Sequence, residues 1–327
     1  MHDRLKKSSR ALLAASDCQV WADAVIRMAP DKDCASCRIS TIRASPRNFH
    51  ETTKYKSPGN CVFSDVLPRP CSVGLTPATT PAFLIIFVDA YSRLPAIYPL
   101  QDKTTEAVIH AKRAYEADHR TPVTEFFSIE KFRSDAGTQY SSAEFQEHCI
   151  HDRVQLSLAA PKKQSQNHYA ERTWATIQNI AGSMLVHARL PDNFIYHALL
   201  YATKVFSVLP VTSLLDADGN QATPYQLFYG SKPRVAHFRV FGCPTVVKKW
   251  TATIDGRRVT NQTQRGIRGI FIGFPRRQNG YLIYVPTTRT IVVSDDVSFD
   301  ESFFSAIATT WRQFNDSLAI RPDSSDT

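Results

Sequence analysis

Three acidic residues far apart in the chain, Asp65, Asp135 and Glu171, have the chemistry of a metal site. Carboxylate oxygens are hard ligands, so a cluster of them suits Mg²⁺ or Mn²⁺. Like charges a few ångströms apart raise one another's pKa, and bound divalent cations remove that penalty. Two such ions about 4 Å apart can activate an attacking oxygen and stabilise a leaving oxygen in phosphodiester displacement. These residues could therefore support phosphoryl transfer, provided that the fold brings them together.

Two of the acidic positions also have a structural interpretation. In "KFRSDAGTQYSS", residues 131–142, an Asp followed by Ala-Gly after a strand is typical of a turn cap. Asp89, in "FVDAYSR", competes with Asp65 for the role of first carboxylate, because it too ends an apolar strand. Its alternative role is again a turn cap. Local sequence leaves both alternatives open.

The elements that must position these residues begin with three strands. "CVFSDVLP" predicts the first strand and carries Asp65, and the apolar run "AFLIIFV" at 82–88 predicts a buried central strand. "RLPAIYPL" at 93–100 predicts a third strand, joined so tightly that an antiparallel meander follows. Prolines at 95 and 99 suit the edge of a sheet.

The rest of the core alternates helices and strands. Thr104 or Thr105 can cap a helix through "EAVIHAKRAYEADHR", after which "IEKFRS" must cross back and pair in parallel. "SSAEFQEHCIHDR" predicts a helix, "VQLSL" a fifth strand, and the apolar spacing from Ala170 to Ala188 another packed helix. The order β-β-β-α-β-α-β-α predicts an α/β fold with a mixed five-stranded sheet flanked by helices. Glu171 lies at the flank of the last helix's apolar stripe, and Asp135 ends the fourth strand.

The remaining segments complete the predicted domain plan. After about residue 236, short β-like runs broken by Gly, Pro and Asn indicate a small all-β domain. Between Lys248 and Arg289 there are nine Lys or Arg residues and one acid, which favours contact with nucleic acid. We therefore predict four segments. Residues 1–55 form a module and linker, residues 56–235 the core and its trailing helices, residues 236–302 the basic β domain, and residues 303–327 a tail.

Composition limits the classes of protein that fit. The chain has 327 residues, 43% of them hydrophobic, a formal charge of +9 and seven cysteines. This length allows about two domains with sizeable cores. An odd number of scattered cysteines argues against a disulfide framework and favours a reducing compartment. We find neither an apolar run long enough for a membrane span nor a secretory signal, and the positive charge indicates an anionic partner.

The motifs around the three carboxylates resemble those of copia-type LTR retrotransposon integrases, members of the retroviral integrase superfamily with a ribonuclease-H-like core. "FSDVLP" resembles the family's first-Asp strand, "FLIIFVDAYSR" its second strand, and "RSDAGTQY" its Ser-Asp-Asn-Gly motif. "QSQNHYAERTWATI" resembles its Gln-Asn-Gly-x-x-Glu-Arg helix start. Thirty-five residues separate Asp135 from Glu171, which is the family's characteristic interval. Downstream, "TPYQLFYGSKPRVAHFRVFGCPTVV" and the segment from "GIFIGF" to "SFDE" resemble the stretch that follows the core.

The resemblance implies a metal-dependent DNA-joining reaction. Water trims the ends of the element's DNA, and the new 3′-hydroxyl then attacks target DNA. The partners it implies are element ends, target DNA and further copies of the chain, with action in the nucleus or in a cytoplasmic particle. Asp65, Asp135 and Glu171 would bind two Mg²⁺ or Mn²⁺ ions. Asn167, in the loop before Glu171, matches a family position near the substrate DNA. Location and charge indicate three further contacts, with DNA phosphates: Lys162, Lys163 and Arg172.

The chain departs from the family pattern around these motifs. Ala136 replaces the family's Asn, His168 replaces a Gly, and Pro68-Arg69 stands where the family continues with Gly-Pro. Loss of the Gly stiffens the loop before Glu171. Two alternative functions follow, a ribonuclease-H-like nuclease that cuts without joining and an inactive nucleic-acid-binding remnant of an integrase.

The N-terminus resembles a damaged zinc module. His2, Cys34 and Cys37 match three ligands of the family's His-His-Cys-Cys set, while Lys7 stands where the second His belongs. A closed structural zinc site needs four donors, so Zn²⁺ would bind weakly unless Asp3 or Cys18 substitutes. We expect a degenerate module, and the chain resembles a fragment of a longer polyprotein.

Overall fold

The computed structural model describes residues 55–68, 81–120, 127–159, 168–216, 218–248, 253–254, 257–258, 266–276 and 278–301. These residues divide into two compact units. The first comprises those up to Ser183 together with Asp192–Phe238. The second comprises Met184–Pro191 together with those from Arg239 onward.

The first unit contains a mixed five-stranded sheet in the order β3-β2-β1-β4-β5. Strands β1, β2 and β3 form the antiparallel meander, and β4 and β5 are added in parallel beside β1. The predicted sheet is therefore confirmed. Its strands are β1 Val62–Pro68, β2 Phe83–Asp89, β3 Pro95–Leu100, β4 Lys131–Ser134 and β5 Gln155–Leu158.

Helices follow the strands in the predicted order. They are α1 Thr105–Asp118, α2 Thr138–Ser141, α3 Ala143–His151, α4 His168–Ala188, α5 Ile195–Val208 and α6 Pro224–Tyr229. Thr104 is the cap of α1, since its hydroxyl accepts a hydrogen bond from the Ala107 amide. The short helix α2 begins directly after the Asp135 turn, and neither it nor α6 was predicted as a separate element.

An aromatic core joins helices α1, α2 and α3 to one face of the sheet. The Phe87 ring of β2 stacks on Tyr115 of α1, with ring centroids 4.9 Å apart. Phe132 of β4 lies 5.5 Å from Phe145 and 5.9 Å from Tyr140, again between ring centroids. All five side chains are fully buried. This packing fixes the helices that follow β3 and β4 against the strands that carry the acidic residues.

A buried ion pair also connects α1 to the end of α3. The Lys112 ammonium is fully buried and donates hydrogen bonds to Asp152, at 2.9 Å, and to Glu116, at 3.1 Å. Burial opposes ionisation of Asp152, but hydrogen bonds from Lys112 and His151 lower its pKa to about 2. A buried ammonium needs such partners, because an unpaired charge in the interior is strongly destabilising.

Helix α3 ends in a Schellman motif that has an arginine where glycine is usual. The Arg153 amide donates to the Ile150 carbonyl at 3.0 Å, and the Val154 amide to the Cys149 carbonyl at 2.8 Å. Arg153 has a φ of 58°, in the left-handed region where a Cβ is disfavoured. Arg189 occupies the equivalent position after α4, with a φ of 53°.

We expect Arg153→Gly to raise the free energy of unfolding of the first unit by about 0.5–1 kcal/mol, because glycine adopts this conformation without strain. Urea denaturation of the two proteins measures the difference. Arg153→Ala is the matched control, since it removes the charge and keeps the Cβ. An equal gain in the alanine variant would assign the effect to charge instead of backbone conformation.

The second unit is an antiparallel sheet in the order β11-β10-β9-β6-β12, with a separate β7-β8 pair. Its strands are β6 Pro244–Lys248, β7 Thr253–Ile254, β8 Arg257–Arg258, β9 Gly266–Gly273, β10 Tyr281–Val285, β11 Thr290–Ser294 and β12 Val297–Phe299. The predicted C-terminal all-β region is confirmed. Gly242, with a φ of 81°, packs so tightly that a Cβ would lie 2.4 Å from that of Ala188.

Among the described residues, no helix combines the length and the apolar character that crossing a bilayer requires.

Candidate active site

Strand register brings Asp65 and Asp135 to the same level on neighbouring strands. β1 and β4 are parallel, with Val62 opposite Phe132 and Phe63 opposite Arg133. Continuing this register by two residues sets Asp65 beside Asp135. Both carboxylates thus lie at the C-terminal end of the parallel pairing between β1 and β4, which we call the sheet edge. This is where α/β folds place their sites.

Helix α4 brings Glu171 to the same edge. Side chains alternate along β1, so Phe63 and Asp65 point to the same face. The Phe63 ring contacts the Tyr169 ring in the first turn of α4, with centroids 4.9 Å apart. Glu171 follows Tyr169 by two residues and is exposed in that turn. The contact therefore holds the acidic end of α4 near Asp65.

The three carboxylates interact electrostatically. Asp65 is half-buried, and its burial, reinforced by the negative charges of Asp135 and Glu171, raises its pKa to about 6. Lys103 partly opposes this shift through its positive charge. Like charges that perturb one another at the end of a sheet are typical of a functional site, because folding alone does not favour them.

Asp135 takes part in the turn that follows β4. One of its carboxylate oxygens accepts a hydrogen bond of 3.3 Å from the Gly137 amide, and the side chain is exposed. The other oxygen accepts no hydrogen bond from a described residue. The turn contact is long and occupies one oxygen, so it is compatible with metal binding by the other.

The surroundings of Asp89 give its carboxylate a structural role in a turn. Its carboxylate is fully buried and accepts hydrogen bonds from the Gly59 amide at 2.8 Å, the Ser92 amide at 2.8 Å and the Ser92 hydroxyl at 2.6 Å. Burial raises its pKa, and these hydrogen bonds act in the opposite direction. A carboxylate occupied in this way stabilises the β2–β3 turn and has no free edge to offer a cation.

The donor set at the sheet edge fits Mg²⁺ or Mn²⁺ by chemistry, since it consists of carboxylate oxygens that repel one another. In the described part of the chain, no three His, Cys, Asp or Glu side chains are already close enough together to hold one ion. Shared coordination by Asp65, Asp135 and Glu171 therefore requires side-chain rotation from the positions seen here.

Other predicted site residues fall partly outside the described part of the chain. Arg172 is exposed on α4 beside Glu171. Outside the described residues lie three of the predicted DNA contacts and the three predicted zinc ligands: Lys162, Lys163, Asn167, His2, Cys34 and Cys37. Their roles stay predictions.

Sequence reasoning missed two side chains near the site. Tyr169 contacts Phe63, and the Arg93 guanidinium carbon lies 3.2 Å from the centroid of the Tyr169 ring. A signal existed for Tyr169, an aromatic residue two positions before Glu171. Arg93 is separated from it by most of the core sequence, so only the fold reveals the contact.

The strand order, the two parallel additions to the meander and the acidic sheet edge define a ribonuclease-H-like core. Residues 56–164 match the family model described as integrase core domain, and residues 254–310 match that of the retroviral polymerase SH3-like domain. The chain thus carries an integrase core domain followed by a retroviral SH3-like domain. The narrower assignment to copia-type elements stays a prediction.

Similar proteins include two plant retrotransposon polyproteins. The chain is 27% identical over 220 residues to the retrovirus-related Pol polyprotein from transposon TNT 1-94 of Nicotiana tabacum, covering 67% of this chain and 16% of that protein. It is 25% identical over 273 residues to that from transposon RE1 of Arabidopsis thaliana, covering 83% and 17%. The chain thus spans less than a fifth of the length of these relatives.

Similar solved structures include two viral integrases. One is the HTLV-2 integrase catalytic core domain in complex with magnesium, at 18% identity and a TM-score of 0.37, covering 52% of this chain and 97% of that one. Another is the simian T-cell lymphotropic virus intasome in complex with PP2A regulatory subunit B56 gamma, at 17% identity and a TM-score of 0.41, covering 89% and 94%.

Proposed function

We propose that this chain is the integrase region of a retrotransposon polyprotein and catalyses metal-dependent processing and joining of the element's DNA ends. Its partners would be element ends, target DNA and further copies of the chain, and the reaction would take place in the nucleus. The observation that carries the proposal is that Asp65 and Asp135 lie at the same level on adjacent parallel strands, with Glu171 in the first turn of α4. The charges of the latter two contribute to the raised pKa of Asp65.

The residues of the site would have distinct roles in binding metal and DNA. Asp65 and Asp135 would present carboxylate oxygens from adjacent parallel strands, and Glu171 would add a third from α4. Bound Mg²⁺ or Mn²⁺ would activate the attacking oxygen and stabilise the leaving oxygen. Arg172, exposed beside Glu171, is placed to pair with a backbone phosphate of the DNA.

The test is a joining assay in the presence and absence of Mg²⁺ or Mn²⁺. A branched duplex that mimics the joined product is a suitable substrate, because reversal of the joining step uses the same catalytic groups and needs no knowledge of the element's ends. We expect metal-dependent resolution of the branch. Asp135→Asn and Glu171→Gln should each lower the rate on the order of 10³-fold, since the carboxylates act as a unit.

Each alternative function predicts a different outcome of this assay. Cleavage of DNA without any joined product would identify a nuclease. DNA binding without chemistry would identify an inactive remnant, in keeping with Ala136, His168 and Pro68-Arg69. Joined product that persists in both carboxylate variants would contradict the proposed site itself.

A further inference from the structure

The hairpin turn between β2 and β3 reaches the start of helix α4 through one side chain. The Arg93 guanidinium carbon lies 3.2 Å from the centroid of the Tyr169 ring, and Nη2 of the same guanidinium contacts the Tyr169 hydroxyl. On β1, Phe63 packs its ring against the same tyrosine. Tyr169 is thus held both by a cation from the turn and by an aromatic ring from the sheet.

The backbone of this turn is strained in a way that aims Arg93. Its φ is 64°, which is unfavourable for a residue with a Cβ. The Arg93 amide donates to the Asp89 carbonyl at 2.9 Å, and the Asp89 amide to the Leu94 carbonyl at 3.0 Å. The buried Asp89 carboxylate fixes the same turn through Ser92. Strain that the surrounding bonds maintain is a common feature of functional sites.

Helix ends fray, and Glu171 lies in the first turn of α4. A carboxylate that must meet Asp65 and Asp135 gains from an ordered helix start, because misplacement by about 1 Å costs metal affinity and rate. Tyr169 precedes Glu171 by two residues and belongs to the same turn. An anchor on Tyr169 therefore restricts the backbone that carries Glu171.

From these contacts we infer that Arg93 is a positioning residue, which orders the first turn of α4 through Tyr169 and so sets the place of Glu171 for metal binding. The inference rests on the proposed function for its consequence, and on the stacking geometry for its mechanism. The Arg93 side chain would not touch DNA or metal in this role.

The test combines hydrogen exchange with metal binding on the full chain. Amides of residues 172–175 bond to carbonyls of the first turn of α4, so their exchange reports on its order without any metal. We expect Arg93→Ala to accelerate this exchange about tenfold. It should also weaken Mn²⁺ binding, measured by calorimetry, by about tenfold, because loss of a residue that holds a metal ligand in place typically has an effect of this size. Amides in α1 should exchange at the wild-type rate.

Matched variants separate stacking from charge and from general damage. Tyr169→Phe keeps the ring and should retain most of the protection, whereas Tyr169→Ala should resemble Arg93→Ala. Arg93→Lys keeps the charge without the planar guanidinium and should also resemble Arg93→Ala. Arg113→Ala, which removes an exposed arginine of α1, is the control and should match the wild type.

The two proposals fail in different ways. Unchanged exchange at residues 172–175 in Arg93→Ala overturns the positioning role, whatever the metal data show. Equal Mn²⁺ binding by the wild type and Glu171→Gln overturns the metal site, while the exchange result still decides whether Arg93 orders the helix start. Faster exchange with unaltered Mn²⁺ affinity, in a chain whose affinity does depend on Glu171, overturns the link from order to metal binding.

Discussion

Replacing Asp65 by Asn is expected to lower DNA joining on the order of 10³-fold without loss of stability. The substitution removes a proposed metal ligand, which would account for the loss of activity. It also removes a half-buried charge that Asp135 and Glu171 repel, so the free energy of unfolding should stay level or rise slightly. Urea denaturation and the branched-DNA assay on the same preparation measure both effects.

Asp89→Ala should show the opposite pattern. Removing this carboxylate leaves the Gly59 amide and the Ser92 amide and hydroxyl, which are buried, without their acceptor. We expect the free energy of unfolding to fall by about 3 kcal/mol, because each buried donor that loses its partner is costly. Asp89→Asn, which keeps one acceptor oxygen, should lose less. Normal stability with no activity in Asp89→Asn, together with an active Asp65→Asn, would reverse the assignment of the first carboxylate.

A second large effect is expected from acid, through His197 in α5. This side chain is 4% exposed, and neither ring nitrogen has a hydrogen-bond partner among the described residues. Burial lowers its pKa to about 4, from an ordinary value of 6.5. Between these values the unfolded chain binds a proton that the folded chain does not, so stability falls as pH decreases. Going from pH 7.5 to 5 should reduce the contribution of His197 to the free energy of unfolding by about 2 kcal/mol.

His197→Phe should abolish this part of the acid sensitivity. Phenylalanine has a similar shape and no titratable group. The unfolding free energy of the variant should therefore rise by about 2 kcal/mol relative to that of the wild type from pH 7.5 to 5. Urea denaturation at the two pH values provides the measurement. His110→Phe is the control, since His110 is exposed on α1. A pH-independent difference for His197→Phe would show that the buried imidazole does not titrate as expected.

The sheet was predictable because its signals are local. The uninterrupted apolar run of β2, the prolines of β3 and the Thr104 cap each depend on neighbours in sequence. The turn cap that the sequence offered as one of two roles for Asp89 is present through Ser92, but the contact with Gly59, thirty residues away, could not be predicted in this way. The same holds for Arg93, which meets Tyr169 only after the sheet and α4 have packed.

The candidate site was likewise predictable only in part. The interval between Asp135 and Glu171 indicated a shared site, and strand register explains how Asp65 reaches Asp135. The raised pKa of Asp65 could not be predicted from the sequence. This shift results from burial and from charges that three separate elements bring together. The turn cap that the local sequence indicated for Asp135 is present as a hydrogen bond from the Gly137 amide.

The second unit is discontinuous in sequence, and this affects the order in which the protein can assemble. Of the second unit, Met184–Pro191 is synthesised first. Asp192–Phe238, which belongs to the first unit, follows, and the strands from Arg239 onward come last. The β unit therefore waits for its own last segments while the intervening residues join the other unit. We therefore expect folding during synthesis to be interleaved, in contrast to the usual order of one domain after another. An isolated fragment that starts at residue 236 would lack Ala188, against which Gly242 packs.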